Sequence, residues 1–106
     1  MTYSEEQHKR KLIEFETITE KMERMYDKKN RDYQDSYGKS FEEEGMAAFR
    51  IRGGDKMNRI KALSISGQQH VNDESLEDSL MDLANYCIMT LIELRIQKVK
   101  TAMEEV

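Results

Sequence analysis

Apolar residues recur every three or four positions through most of this chain, strand-like alternation is absent, and there is no proline. That pattern predicts an all-α domain. The first helix is expected over residues 4 to about 31. Ser4 serves as N-cap, and Gln7 three residues on completes a capping box. Phe15, Ile18, Met22, Met25 and Tyr26, with Leu12 beside them, form its core stripe. A second helix is expected from 46 to about 66, with Phe49, Met57, Ile60 and Leu63 inward, and 66–72 as the turn that follows. The long helix runs from Asp73 to Met103. Asp73 is its expected N-cap, and Glu74 and Glu77 place negative charge where the helix dipole favours it.

The long helix organises the rest. Leu76, Leu80, Leu83, Cys87, Leu91 and Leu94 fall at helical spacing and predict its core face. On roughly the other side lie Glu74, Asp78, Asp82 and Asn85, stacked by steps of four and three. Like charges four apart destabilise an isolated helix by about 0.2–0.5 kcal/mol per pair, a cost that a cation or basic partner against the stripe would remove. Beyond Asn85 that side turns apolar, with Met89, Ile92, Ile96 and Val99. The C-terminal half is therefore expected to be central to the fold or paired with another subunit, which predicts a homo-oligomer.

Two stretches break the helical pattern. Residues 30–45 gather Asn, Asp, Ser and Gly around Tyr33, Tyr37 and Phe41, and read as a long loop rich in turn formers. Loops of that length in a small domain are often functional. The run Lys29, Asn30, Asp32, Tyr33, Asp35, Ser36 is dense in hydrogen-bonding groups, as a binding loop would be. Its aromatics could equally cap the core. Gly53-Gly54 interrupt the second helix at a cost of about 2 kcal/mol in propensity, and mark a break, a kink or a close approach to the backbone. After them, Asp55 and Arg59 can pair four apart, with Arg52 adjacent. Lys56 and Arg59 can instead sit beside an anion such as a phosphate.

Composition narrows the classes. The chain has 106 residues, enough for one domain with a modest core. A formal net charge of −4 argues against a duplex nucleic-acid binder. The single cysteine, Cys87, is expected to be a buried, inert thiol; with no intrachain disulfide to form, the chain suits a reducing cytoplasm. No apolar run is long enough to span a bilayer, and the start carries no signal-peptide pattern.

Three polar blocks remain: Lys29 to Ser36, Arg52 to Arg59, and Glu74 to Asn85. Antiparallel packing would let them meet. Carboxylates on one helix face can hold Mg²⁺ together with waters and substrate phosphates. Basic residues can hold the phosphates, and tyrosines such as Tyr37 can stack on a base. Together they describe a nucleotide pocket that includes Ser36 and Arg52, with Glu74, Asp78 and Asp82 as the Mg²⁺ ligands if the chemistry needs one. The alternative is a structural salt-bridge network of Asp55, Lys56, Arg59, Asp78 and Asp82.

At these residues the chain resembles a family. KKNRDYQDSYGKSF, RIRGGDKMNRIKAL and DESLEDSLMDLANYCIMTLIEL are similar, in order, to the nucleotide modification associated domain type 1, a small helical family common in phages. The likeness covers about residues 25–95. It rests on K-N-x-D-Y at Lys29–Tyr33, D-K-x-x-R at Asp55–Arg59 and D-x-x-x-D-L-A-N-Y at Asp78–Tyr86. The resemblance implies a nucleotide ligand and a pocket of Lys29, Asp32, Tyr33, Asp55, Lys56, Arg59, Asp78, Asp82 and Asn85, in the cytoplasm of an infected host. A broader likeness is to all-α NTP pyrophosphohydrolases of the MazG and dimeric dUTPase type, in which acidic motifs on two helices bind Mg²⁺. Here Glu74-x-x-Glu77 and Asp78-x-x-x-Asp82 lie on one helix, and the other acidic cluster, Glu42-Glu43-Glu44, falls in or beside the loop. Three functions are open: a protein that sequesters a nucleotide signal, including one used in antiviral defence; a Mg²⁺-dependent pyrophosphohydrolase; and an interaction module whose polar blocks are structural.

Overall fold

The computed structural model describes residues 2–65 and 73–105, with the backbone alone at 73–75. It contains four helices: α1 (Glu5–Asp32), α2 (Ser36–Glu44), α3 (Met46–Ile65) and α4 (Asp73–Glu104). Among the described residues there is no strand. The chain divides into two compact units, Met1–Gln34 and Asp35–Val106.

The first unit is essentially α1. Ser4 Oγ accepts from Gln7 N at 3.1 Å, and the Gln7 side chain accepts from Ser4 N at 2.8 Å, which closes the expected capping box. Near the other end, Arg31 meets Asp27 at 2.9 Å and Lys28 meets Asp32 at 3.6 Å. Exposed pairs four apart contribute about 0.3–0.5 kcal/mol each. Leu12, Phe15 and Ile18 are exposed rather than covered, whereas Met22 is buried. A helical apolar period marks a face; it does not supply the neighbour that buries it.

The expected loop is half helix. The turn formers do end α1, and Gln34 and Asp35 adopt left-handed backbone, with φ 51° and 58°, which side chains with a Cβ seldom take. But Ser36–Glu44 is helical, and Tyr37 and Phe41, four apart, are buried at 5% and 2% exposure. Gly38 had read as a turn former. In α2 it is buried, and a side chain there would run into the Asp35 carboxylate. The Glu42–Glu44 cluster therefore forms the last turn of a helix. Gly45, at φ 63°, turns the chain into α3.

The second unit packs α3 along α4, with α2 against both. Here α3 runs unbroken through Gly53 and Gly54. Of the roles expected for these glycines, close approach is the one Gly53 plays. A methyl placed on it would stand 3.3 Å from the Phe49 ring and 3.5 Å from Leu83 Cδ1, so side chains of both helices pack onto its bare backbone. Gly53 faces Leu83 and Lys56 faces Asp82, so α3 and α4 run antiparallel.

The face that α4 turns inward is not the expected one. Leu80, Leu91 and Leu94 are exposed at 50%, 55% and 37%, and Cys87 is exposed as well. Ser79, Met81 and Thr90 are buried instead, with Asp82, Leu83, Tyr86, Met89 and Glu93 half-buried. Thr90 Oγ1 donates to the Tyr86 carbonyl at 2.7 Å, so its buried hydroxyl is satisfied within the helix. The side chain of Asp73, the expected N-cap, lies outside the described residues, and Leu76, expected on the core face, is half-buried.

Candidate functional site

Beside the contact at Gly53, α3 and α4 line a cleft of about 370 Å³ formed by Arg52, Asp55, Lys56, Arg59 and Tyr86. Four of these come from α3. Steps of three and four residues place 52, 55, 56 and 59 on one face of that helix, and Tyr86 closes the cleft from α4. Three of the five lining side chains are cationic and one is a carboxylate.

Each cation is held differently. Lys56 Nζ lies 2.9 Å from Asp82 Oδ2, both side chains being 30% exposed. Arg52 is half-buried, and its partners are neutral. Its Nη2 donates to Ser40 Oγ at 3.1 Å, and its guanidinium carbon stands 5.5 Å from the Tyr37 ring centroid, within cation–π range. Arg59 is exposed and has no ion-pair partner among the described residues, and neither does Asp55. The Asp55–Arg59 pair that spacing allows is thus replaced by a contact between helices, Lys56 to Asp82.

Behind Arg52 stands a buried aromatic and hydroxyl network. The Tyr37 ring packs on Tyr86 at 5.5 Å and on Phe41 at 6.4 Å. The Tyr37 hydroxyl is 2.8 Å from Thr90 Oγ1. Since Thr90 gives its proton to the Tyr86 carbonyl, Tyr37 is the donor in that bond.

The structure thus gathers Arg52, Asp55, Lys56, Arg59 and Asp82 at one place. Tyr37 lies behind the cleft wall with its hydroxyl committed. Asn85 is half-buried on α4, Asp78 is exposed one turn before Asp82, and Ser36 is exposed at the start of α2. Lys29, Asp32 and Tyr33 are exposed residues of the first unit, where Asp32 pairs with Lys28 and Tyr33 caps α1. The Glu74 side chain lies outside the described residues. Ser40, Tyr86 and Thr90 were not foreseen as site residues. Tyr86 ends the D-x-x-x-D-L-A-N-Y run, and that was its one signal.

Asp78 and Asp82 are the described carboxylates of the acidic stripe. Among the described residues, no three His, Cys, Asp or Glu side chains gather as a metal cage. Mg²⁺ takes one or two carboxylates when waters and phosphates complete its shell. The pair therefore suits an ion carried by a phosphate rather than one held by protein alone, and Lys56 would compete with it for Asp82.

A second charged group lies on α2 and α4, away from the cleft. Burial, then the charges of Asp35 and Glu42, raise the Glu93 pKa above the ordinary carboxylate value, and Lys100 opposes them. Lys100 lies 3.8 Å from Glu42.

Fold and cleft together define an all-helical protein with a cation-rich, tyrosine-walled cleft between two antiparallel helices. No described helix is long and apolar enough to cross a membrane. The chain belongs to the nucleotide modification associated domain 1 family, whose model matches residues 29–94, more than half its length. No curated protein and no solved structure matches it. The matched span contains all four α3 residues of the cleft together with Ser40, Asp82, Tyr86 and Thr90.

Proposed function

We propose that the protein binds a nucleotide, or a signal derived from one, in the α3–α4 cleft and holds it without turning it over. The carrying observation is the cleft itself: Arg52, Lys56 and Arg59 converge beside Tyr86, and one of the three is neutralised by a carboxylate. Anions bind such clusters through charge-assisted hydrogen bonds, and Tyr86 offers an aromatic surface for a base. The family's association with nucleotide modification supports the same ligand class. Binding without turnover is how a phage protein would sequester a host nucleotide signal used in antiviral defence. The lean toward binding rests on Asp82, whose carboxylate already faces an ammonium group.

The second reading is a Mg²⁺-dependent pyrophosphohydrolase, favoured by Asp78 standing one turn before Asp82 on α4, with Asp82 held against the cleft residue Lys56. A nucleotide panel in a thermal-shift assay, with and without Mg²⁺, tests the binding; chromatography of the products tests turnover. Stabilisation that EDTA does not change, with intact ligand recovered, is the expected result. Release of pyrophosphate or a nucleoside monophosphate that needs both Mg²⁺ and Asp82, and is lost in Asp82→Asn, would replace the first reading by the second. No shift with any nucleotide would leave the polar residues a structural role within an interaction module.

A further inference from the structure

The three cations of the cleft are not equivalent, and their partners rank them. Lys56 spends its charge on Asp82, at 2.9 Å. Arg59 is exposed and must lose the freedom of a long side chain before it holds anything, and Asp55, one turn from both arginines, pairs with neither. Arg52 is half-buried and already fixed. Its Nη2 is anchored on Ser40 Oγ, its guanidinium lies against the Tyr37 ring, and none of its partners carries a negative charge. A guanidinium has five N–H donors, and one of them goes to Ser40. The others remain beside a cleft that Arg52 itself lines.

Its supports are in turn fixed. Tyr37 is 5% exposed and its hydroxyl donates to Thr90, itself 5% exposed and bound to the Tyr86 carbonyl. The wall of the cleft and the support of Arg52 are therefore one buried network spanning α2 and α4.

Resting on the nucleotide-binding reading above, we infer that Arg52 is the phosphate anchor of the cleft and that Ser40 and Tyr37 are positioning residues that aim it. The ligand's anionic group meets the pre-set guanidinium and Tyr86 at this end. Asp82 belongs to the Lys56 end, and Asp55 lies between Arg52 and Arg59 on α3; these carboxylates repel phosphate and accept hydrogen bonds from hydroxyl or amino groups of the ligand. A guanidinium held in place by neutral partners keeps its full charge and has little freedom left to lose on binding, which favours affinity.

Calorimetric titration of adenosine, AMP, ADP and ATP, and of the guanosine series, tests the assignment through the gain in affinity per phosphate. A merely structural role would not move that gain. Arg52→Ala is expected to lower the affinity of the triphosphates by about tenfold to a hundredfold and that of the nucleosides by less than about twofold. Arg52→Lys keeps the charge without the fork and is expected to recover only a small part. Ser40→Ala should lower triphosphate affinity by about two- to tenfold with an unchanged melting temperature, and Ser40→Thr, which restores the hydroxyl, should rescue it. Tyr37→Phe, which keeps the ring, should fall between Ser40→Ala and the parent. The assignment is overturned if Arg52→Ala keeps the parent's gain per phosphate while Arg59→Ala or Lys56→Ala abolishes it, or if nucleoside and triphosphate lose affinity equally. Those results leave the nucleotide-binding reading standing. Failure of every nucleotide to bind the parent protein removes both.

Discussion

The two faces of α4 depart from an ordinary globular helix in different ways: the inner one mixes polar groups with its apolar residues, and the outer one is apolar though exposed. The face toward α2 and α3 sets Ser79, Asp82, Tyr86, Thr90 and Glu93 among Met81, Leu83 and Met89, and the face away from them carries Leu80, Cys87, Ile88, Leu91 and Leu94. Most of the polar groups on the inner face are matched, and Glu93, whose pKa is raised by burial and by the charges of Asp35 and Glu42, is the exception. Thr90 is bonded twice, Asp82 meets Lys56, and Tyr86 packs on Tyr37. Burying polar groups is costly unless they are paired. This helix uses the pairing to build the back of a cleft. The outer face is apolar and uncovered, the kind of surface that marks association with another molecule. A homo-oligomer seated on it is our proposal for that face. The apolar stretch expected to mediate assembly is divided: Met89 and Ile92 are half-buried, whereas Ile96 and Val99 are exposed.

The contrast is open to direct attack. Phe41, 2% exposed against the inner side, should be the sensitive position. Phe41→Ala is expected to cost about 3–5 kcal/mol in denaturant unfolding. Leu91→Ala, on the outer side, is expected to change the stability of dilute protein by less than about 1 kcal/mol. Equal losses would mean that the outer face is a core face after all.

The adjacent glycines sharpen the same point along α3. Gly53→Leu must push against Phe49 and Leu83 and is expected to destabilise by about 1–3 kcal/mol. A methyl on Gly54 meets nothing within 4 Å, so Gly54→Ala should stabilise by about 0.4–1 kcal/mol through helix propensity and a less disordered unfolded chain. Both effects are read from denaturation midpoints. For the outer face, light scattering at micromolar concentration should report more than one subunit, and Leu91→Glu should reduce the mass to that of one chain. A parent protein that is folded and monomeric would remove the oligomer.

The smallest effect concerns Glu93. Its folded pKa is raised, chiefly by burial, so ionising it costs more in the folded chain than in the unfolded one. Stability is therefore diminished above the folded pKa and recovers as pH falls through it toward the unfolded value. Glu93→Gln should stabilise at pH 7 by a few tenths of a kcal/mol, the scale of screened surface charges, with the difference fading in acid. An advantage that grew as pH fell would contradict the sign.

The sequence made some of this plain and hid the rest for physical reasons. The all-α class, the start of α1 and the extent of α4 were legible because the capping box and helical periodicity are local. The α3 cations were legible as a block, since Arg52, Lys56 and Arg59 share a face by spacing alone. Helix α2 was hidden because Ser36, Gly38 and Ser40 read as turn formers, although Tyr37 and Phe41 already stood four apart. The inner face of α4 was hidden because hydrophobicity tells which side avoids water, not which side a neighbour occupies. Ser40 and Thr90 could not be foreseen, since their value lies in tertiary hydrogen bonds to Arg52 and Tyr37.

The central claim is that the cation face of α3 holds a nucleotide. Isothermal titration of the nucleotide giving the largest thermal shift, into the parent protein and into Lys56→Ala and Arg59→Ala, tests it most directly, with circular dichroism as the check on folding. Each lost charge-assisted contact typically costs about 1.5–3 kcal/mol. Weakening approaching that size, in at least one variant whose helical content is unchanged, is the predicted result. Parent-like affinity in both of these variants and in Arg52→Ala would contradict the account, because phosphate recognition would then lie outside the cleft.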